Sequence, residues 1–427
     1  MRKVKQSQKN ITPFGGLNFI YKAISAAGID KFIDESIGQR SVYAKYSYSD
    51  VALSLLGNSL SQGSFVSDLE VLKSKFSEQD FNKIPSPDTV EYVCQELKQN
   101  SIVKTTDTGV VHELNYSQSF NETLVALGVK TKQLKKNTDG YTMDFDNVVV
   151  ENEKQDAKMS YKKIKGYHPN IAFIGRLPIH IENHNGNTPA RFEQKQTLER
   201  CFDNLDKHEI KIEHFRADSA SYQKEVFELV EKRAKYFYIR MMDFDDIRLE
   251  CASIIHWDSI EINNHIKEVA SIYYHCAKSK QAYRIVVTRH KRKDSQVNLL
   301  SGSSYTYQGI VTNNKLMSEK NVIEFYNERG DSEKSNSYLL NDFNLHHLPF
   351  PDMDTNTVYM YFMAMCSILF EWTKIVLVDN KTQSINLAMR TKAVCFHYIM
   401  VASVFVNHAR KKVLTVFSSQ KYSVLRV

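Results

Sequence analysis

A chain of 427 residues that is 42% hydrophobic and 25% charged is too long for one ordinary core and too apolar to stay disordered, so two or three folded domains are expected. Six cysteines without a C-x-x-C pair or a nearby histidine cluster leave zinc and redox motifs unsupported and point to buried free thiols. The basic N-terminus MRKVKQSQKNITPFGG has no apolar segment of a secretory signal. The strongest apolar runs, VYMYFMAMCSILF and AVCFHYIMVASVFV, span 13 and 14 residues, short of the roughly 18–20 that cross a bilayer, so buried helices and a cytoplasmic protein are expected.

Residues 1–130 read as a helical region. Leu17, Ile20 and Ile24 recur at helical spacing, as do Ile29, Phe32 and Ile33 after a glycine break. Ser47 or Ser49 opens another apolar stripe, and Ser86 with Pro87 gives a cap followed by proline at the first helical position. Near Lys135 the character changes. Asp139-Gly140 marks a turn, and Tyr141, Met143 and Phe145 then alternate with Thr142, Asp144 and Asp146, a strand with acids on one face. PNIAFIGRLPIHIENHNGN gives two further strands with a turn at Gly175-Arg176, and a helix opened by Thr188 and Pro189 follows. Next come the strand IEHFRAD, a helix over 222–232 and a strand over 236–241. The order strand, strand, strand, helix, strand, helix, strand is that of a ribonuclease-H-like α/β core.

Residues 243–305 break into short β-like runs, read as a β-rich insertion, and 306–350 return to the core with a strand and a long helix, SEKNVIEFYNERGDSEKSNSYLLNDF. The last region, 351–427, reads as helical and basic. Residues 374–427 hold nine Lys/Arg against the single acid Asp379. With Arg289, Lys291, Arg292 and Lys293, and with the basic N-terminus, this makes three basic clusters. Any one is an ordinary solvated surface; three together point to nucleic acid.

Asp218, in HFRADSASYQ, closes a strand and precedes a helix, where an aspartate is either a cap or a ligand. Tyr326, Arg329 and Glu333 fall at i, i+3 and i+7 of the expected helix, one face, where Arg329–Glu333 could equally be a surface pair. Placed on the fold order, Asp146 ends the first strand, Asp218 the fourth, and Glu333 follows on the later helix. An oxygen-rich cluster of this kind suits hard divalent ions, and it favours the ligand reading of Asp218.

The stretches TMDFDNV, KGYHPNIAFIG, HFRADSASYQKEVFELVEKRAKYFYIR, TYQGIVTN and YNERGDSEKSNSYLLNDFNLHHLPF resemble, in order and spacing, the DDE transposases of bacterial insertion sequences that carry a Y-x-x-R-x-x-x-E-x-x-x-x-x-x-K signature. The resemblance implies that Asp146, Asp218 and Glu333 bind two Mg²⁺ or Mn²⁺ ions and that Tyr326 and Arg329 contact end DNA or orient Glu333. It also implies that residues 243–305 correspond to the family's insertion domain, with Trp257 as a candidate for stacking on an unstacked base; a core tryptophan reads equally well. It further implies terminal inverted repeats and target DNA as partners, a homodimer on DNA, and no membrane. Arg410, Lys411 and Lys412 are candidate backbone contacts. The signature lysine falls on Leu340, which leaves Lys334 as a substitute, and Val148 stands where the family often has threonine. Asp144 competes with Asp146 as the first acid, since both share a strand face. A nuclease without strand transfer, or a DNA-binding derivative that has lost catalysis, are the alternatives.

Overall fold

In the computed structural model the described residues are 11–76, 81, 83–136, 140–291, 304–330, 336–379, 386–408 and 410–418. The N-terminal part forms α1 (Leu17–Ala26), α2 (Ile29–Ile37), α3 (Tyr48–Leu60), α4 (Leu69–Phe76) and α5 (Pro87–Leu97). Ser47 closes a capping box with Asp50 at the start of α3, and Ser86 caps α5 with Pro87 at its first position, each satisfying backbone N–H groups that a helix start leaves open. A hairpin, β1 (Ile102–Thr105) and β2 (Val111–Asn115), precedes α6 (Gln118–Lys130). The N-terminal region is therefore not all helical. β2 pairs with the central sheet through Leu114 and Asn115, opposite His184 and Asn183.

The central strands are β3 (Tyr141–Asn147), β7 (Asn170–Ile174), β8 (Leu177–His184), β9 (Ile212–Ala217) and β10 (Ala234–Arg240); the short β4 (Val150–Glu151), β5 (Lys158–Met159) and β6 (Lys165–Tyr167) form a separate small sheet. Helix α7 (Gln194–Lys207) connects β8 to β9, and α8 (Lys224–Arg233) connects β9 to β10. β3, β9 and β10 run parallel, and β7 and β8 form the expected hairpin with Gly175 at φ +59°.

After α9 (Asp245–Ala252) come β11 (Asp258–Ile262), β12 (His265–Tyr274), β13 (Tyr283–Lys291) and β14 (Tyr305–Thr312). β14 pairs antiparallel with β10, and β13, β12 and β11 follow in turn. One eleven-stranded sheet results, ordered β1-β2-β8-β7-β3-β9-β10-β14-β13-β12-β11. The segment read as an insertion thus extends the sheet of the core, because β10 offers a free edge that β14 completes.

The expected long helix after β14 ends early. α10 (Glu319–Asn327) stops with Arg329 N–H donating to Tyr326 O at 2.9 Å, a tightened last turn just ahead of Gly330.

α11 (Met353–Asp379), of 27 residues, is twice the length of the apolar run read from the sequence. By length and composition Met353–Leu377 could cross a membrane, yet 78% of its most apolar stretch is buried inside the protein, against α3, α5, α6 and β8. It carries buried Asn356, Thr357 and Lys374, each with protein partners, as a core helix does. Beyond it the chain makes the short α12 (Thr391–Val394) and a hairpin, β15 (Ser403–His408) with β16 (Lys411–Val416). The second apolar run therefore ends as a strand, since a continuous apolar run of that length fits either element. Thr12 bridges to Ser403, so the two ends of the described chain meet.

Candidate active site

Parallel pairing of β3 with β9 sets Asp144 opposite Arg216 and Phe145 opposite Ala217. Strand alternation then places Asp146 and Asp218, next in line, on the Asp144–Arg216 face, at the carboxyl ends of adjacent strands about 4.8 Å apart. α10 covers that face. Tyr326 donates its hydroxyl to Ala217 O at 3.2 Å, and Arg216 Nη1 donates to Phe325 O at 2.7 Å. Burial pushes the Tyr326 phenol up to about 12, so it stays protonated and holds the helix end in place.

The two candidate first acids have different surroundings. Asp144 is buried, and both its oxygens accept from Arg216, Nε at 2.7 Å and Nη2 at 2.8 Å. A bidentate pair at this depth leaves little of Asp144 for a ligand. Asp146, half-buried at the strand end, accepts from Arg329 Nη2 at 2.9 Å on Oδ1 and from Asn336 Nδ2 at 2.9 Å on Oδ2. Burial works against the Arg329 charge, but Asp146, then Tyr326, Asp218 and Asp144, outweigh it and hold the guanidinium above its ordinary value. The Nε of Arg329 and the Oδ1 of Asn336 are buried without a hydrogen-bond partner.

Asp218 is a cap: its Oδ1 accepts from Ala220 N–H at 2.9 Å and opens the turn over Ser219–Ser221. Capping occupies one oxygen and leaves the ligand role open to the other. Glu333 and Lys334 lie outside the described residues, as do Arg292 and Lys293. Leu340 packs against the core. Two carboxylates side by side and the orphaned amide oxygen of Asn336 form a hard-oxygen donor set, which fits a divalent ion of the Mg²⁺ type. Among the described residues no group of three metal-binding side chains is complete.

The remaining candidates are placed elsewhere. Trp257 donates Nε1–H to Ile254 O at 3.1 Å and stacks near Tyr307, while the Arg289 guanidinium lies 4.5 Å from the centres of both Trp257 and Tyr305. Arg289 is also held by Glu268 at 2.6 and 2.8 Å. Trp257 and Arg289 thus partner each other. Lys291 ends β13 exposed, and Arg410, Lys411 and Lys412 are exposed at the turn of the C-terminal hairpin. The basic surplus of 374–427 is smaller at the surface than in the sequence. Lys374 is buried beside Glu371, and Arg390 pairs with Asp342.

Asn336 and Arg216 were not anticipated. Arg216 had a signal, since a basic residue two before Asp218 shares its face and complements the second acid on β3. Asn336 had none, being brought 190 positions from Asp146 by the chain's return.

The family described as transposase DDE domain, group 1, matches residues 78–424. Among solved structures the chain is similar to the piggyBac transposase synaptic complex with hairpin DNA. The TM-score is 0.42 at 10% identity, covering 88% of this chain and 77% of that one. No curated protein matches.

Proposed function

The chain belongs to the family of DDE transposase domains, group 1, and from that premise we propose that it is the cut-and-paste transposase of a bacterial insertion sequence. In this reading it binds the terminal inverted repeats as a homodimer in the cytoplasm, hydrolyses a strand at each end, and joins the freed 3′-OH to target DNA. The observation that carries the reading is the register of β3 and β9, which brings Asp146 and Asp218 to neighbouring strand ends under a buried arginine.

Each side chain has a task. Asp146 and Asp218, with Glu333 as the third acid, would hold two Mg²⁺ or Mn²⁺ ions, which when bound supply activation of the attacking oxygen and charge stabilisation at the leaving one. Asn336 orients Asp146 by its amide N–H and has its carbonyl oxygen left for a water or ligand. Tyr326 fixes the end of α10 on β9 and so positions Arg329. Exposed Lys291, Arg410, Lys411 and Lys412 contribute sequence-independent attraction to the DNA backbone.

The test is cleavage and joining of DNA carrying the element's own ends, comparing wild type with Asp218→Asn. Asparagine caps as well as aspartate does, so this variant keeps the turn and loses only the charge. Cleavage is expected to fall by roughly two to three orders of magnitude or more, the scale on which a single electrostatic group acts at a charged transition state, while end binding persists. Wild-type rates in the variant would reduce Asp218 to its cap. Cleavage without joining would turn the reading to a nuclease.

A further inference from the structure

Both oxygens of Asp146 already accept from protein donors, and one of these donors is a cation. Arg329 is only 8% exposed, and its Nη2 lies 2.9 Å from Asp146 Oδ1. A guanidinium at that distance places a positive charge where a divalent ion bound to the same carboxylate would sit. Two like charges on one half-buried carboxylate repel strongly, because little water screens them. The arrangement is well made for holding the acid and poorly made for admitting a metal.

The same side chain has an unmet demand. Its Nε is buried without a partner, and a guanidinium satisfies Nε and a terminal nitrogen together when it grips two oxygens of one phosphate. The backbone around it permits a change of side chain alone. Tyr326 is tied to Ala217 O, which fixes the end of α10, while Arg329 sits beyond that helix in a turn, and a Cβ at the next residue, Gly330, would meet nothing within 4 Å.

Building on the transposase reading, we propose that Arg329 is a cation gate on Asp146: without DNA its guanidinium holds the metal's place, and a phosphodiester of bound end DNA draws it off and admits the divalent ion. Asn336 keeps Asp146 aimed while the exchange occurs. Linkage requires reciprocity, so metal and end DNA each strengthen the other's binding. A transposase without its ends would then hold little metal, which guards against stray cutting.

The experiment is Mn²⁺ binding to the full chain, read from the electron paramagnetic resonance signal of free Mn²⁺, with and without a duplex carrying the terminal repeat. Arg329→Gln removes the charge and keeps a donor. Without DNA this variant is expected to bind Mn²⁺ about tenfold more tightly than wild type, the scale of one charge-assisted contact. Adding the duplex should tighten binding in wild type and not further in the variant. Arg329→Lys, which keeps the charge, should restore the weak DNA-free binding. Equal or weaker Mn²⁺ binding by Arg329→Gln overturns the gate, and Arg329→Met repeats the comparison if the glutamine variant does not fold. Asp146→Asn separates the two ideas. If it abolishes Mn²⁺ binding while Arg329→Gln changes nothing, the gate alone fails; if it leaves Mn²⁺ binding and cleavage intact, the active site drawn here fails with it.

Discussion

Asp144 and Arg216 form a closed pair, both under a tenth exposed, one alternation deeper along the strands than Asp146 and Asp218. Removing one partner strands the other's charge inside the protein, so Arg216→Met is expected to cost about 3–5 kcal/mol and to lower the melting temperature. Asp146→Asn also leaves a buried cation, Arg329, without its carboxylate and should lower the melting temperature too, but it should silence cleavage even at temperatures where a thermal scan shows the variant folded. A second buried acid is set apart from this site. Glu182 on β8 accepts from Thr197 Oγ1 at 2.6 Å and from Arg200 at 2.6 and 2.8 Å, with His180 at 3.1 Å. Burial pushes its pKa up, but the hydrogen bonds from His180 and Arg200 more than reverse this and hold it well below the usual carboxylate value. A depressed acid contributes stability above its unfolded pKa, near 4.3, and loses that contribution as pH falls through its folded value. Urea midpoints should therefore show wild type well ahead of Glu182→Gln at pH 7, with the gap narrowing below about pH 4. That Asp146 and Asp218 come to neighbouring strand ends was legible because strand alternation and element order place them without any contact information, whereas Glu333 lies outside the described residues. The partners were less so: Arg216 needed the register, and Asn336 needed the fold.

At the level of elements, α11 is the piece that sequence pattern undersized. Its ends, MDTNT and EWTK, are polar, and a window of apolar residues stops at them, although Thr355, Asn356, Thr373 and Lys374 are buried with protein partners. Tyr361 on this helix donates to Ile181 O at 2.7 Å and accepts from Ser117 N–H at 3.0 Å and Asn121 Nδ2 at 3.2 Å, tying β8 and α6 to the helix. Tyr361→Phe leaves those donors and the carbonyl unmet and is expected to cost about 1–3 kcal/mol in chemical denaturation. The start of α1 is a second close junction. A Cβ on Gly16 would come 1.9 Å from the carbonyl oxygen of Tyr398, a backbone atom that cannot swing aside. Gly16→Ala should therefore destabilise by about 1–3 kcal/mol, as overpacking does, and the loss should show as a lower urea midpoint. The strands β1 and β2 escaped the sequence reading for the opposite reason. Ile102–Thr105 is exposed throughout, so no buried alternation marks it. α10 ends at Asn327, where Glu328 and Arg329 form a turn that no pattern of apolar and polar residues marks.

On the scale of the molecule, the regions that composition divides are joined by packing. The N-terminal helices share a hydrophobic core with β3, β9 and α11, and the strands of 258–312 complete the same sheet as the core. The sequence suggested modules because charge and periodicity change near residues 135 and 243, but such changes mark where elements change type and say nothing of which surfaces meet. Circular dichroism and tryptophan emission, with Trp257 just ahead of β11 and Trp372 on α11, should lose signal together in urea, as one transition. Separate midpoints would restore the independent modules.

α11 also carries a consequence for how the protein is made. Its residues leave the ribosome after the N-terminal helices and every strand of the large sheet, yet its side chains fill the space between them. Until residue 379 has emerged, those surfaces have no partner, and the nascent chain must wait with apolar faces open. A premature stop ahead of Met353 would yield a protein that cannot close rather than a shorter working one, so synthesis that ends early leaves nothing able to cut.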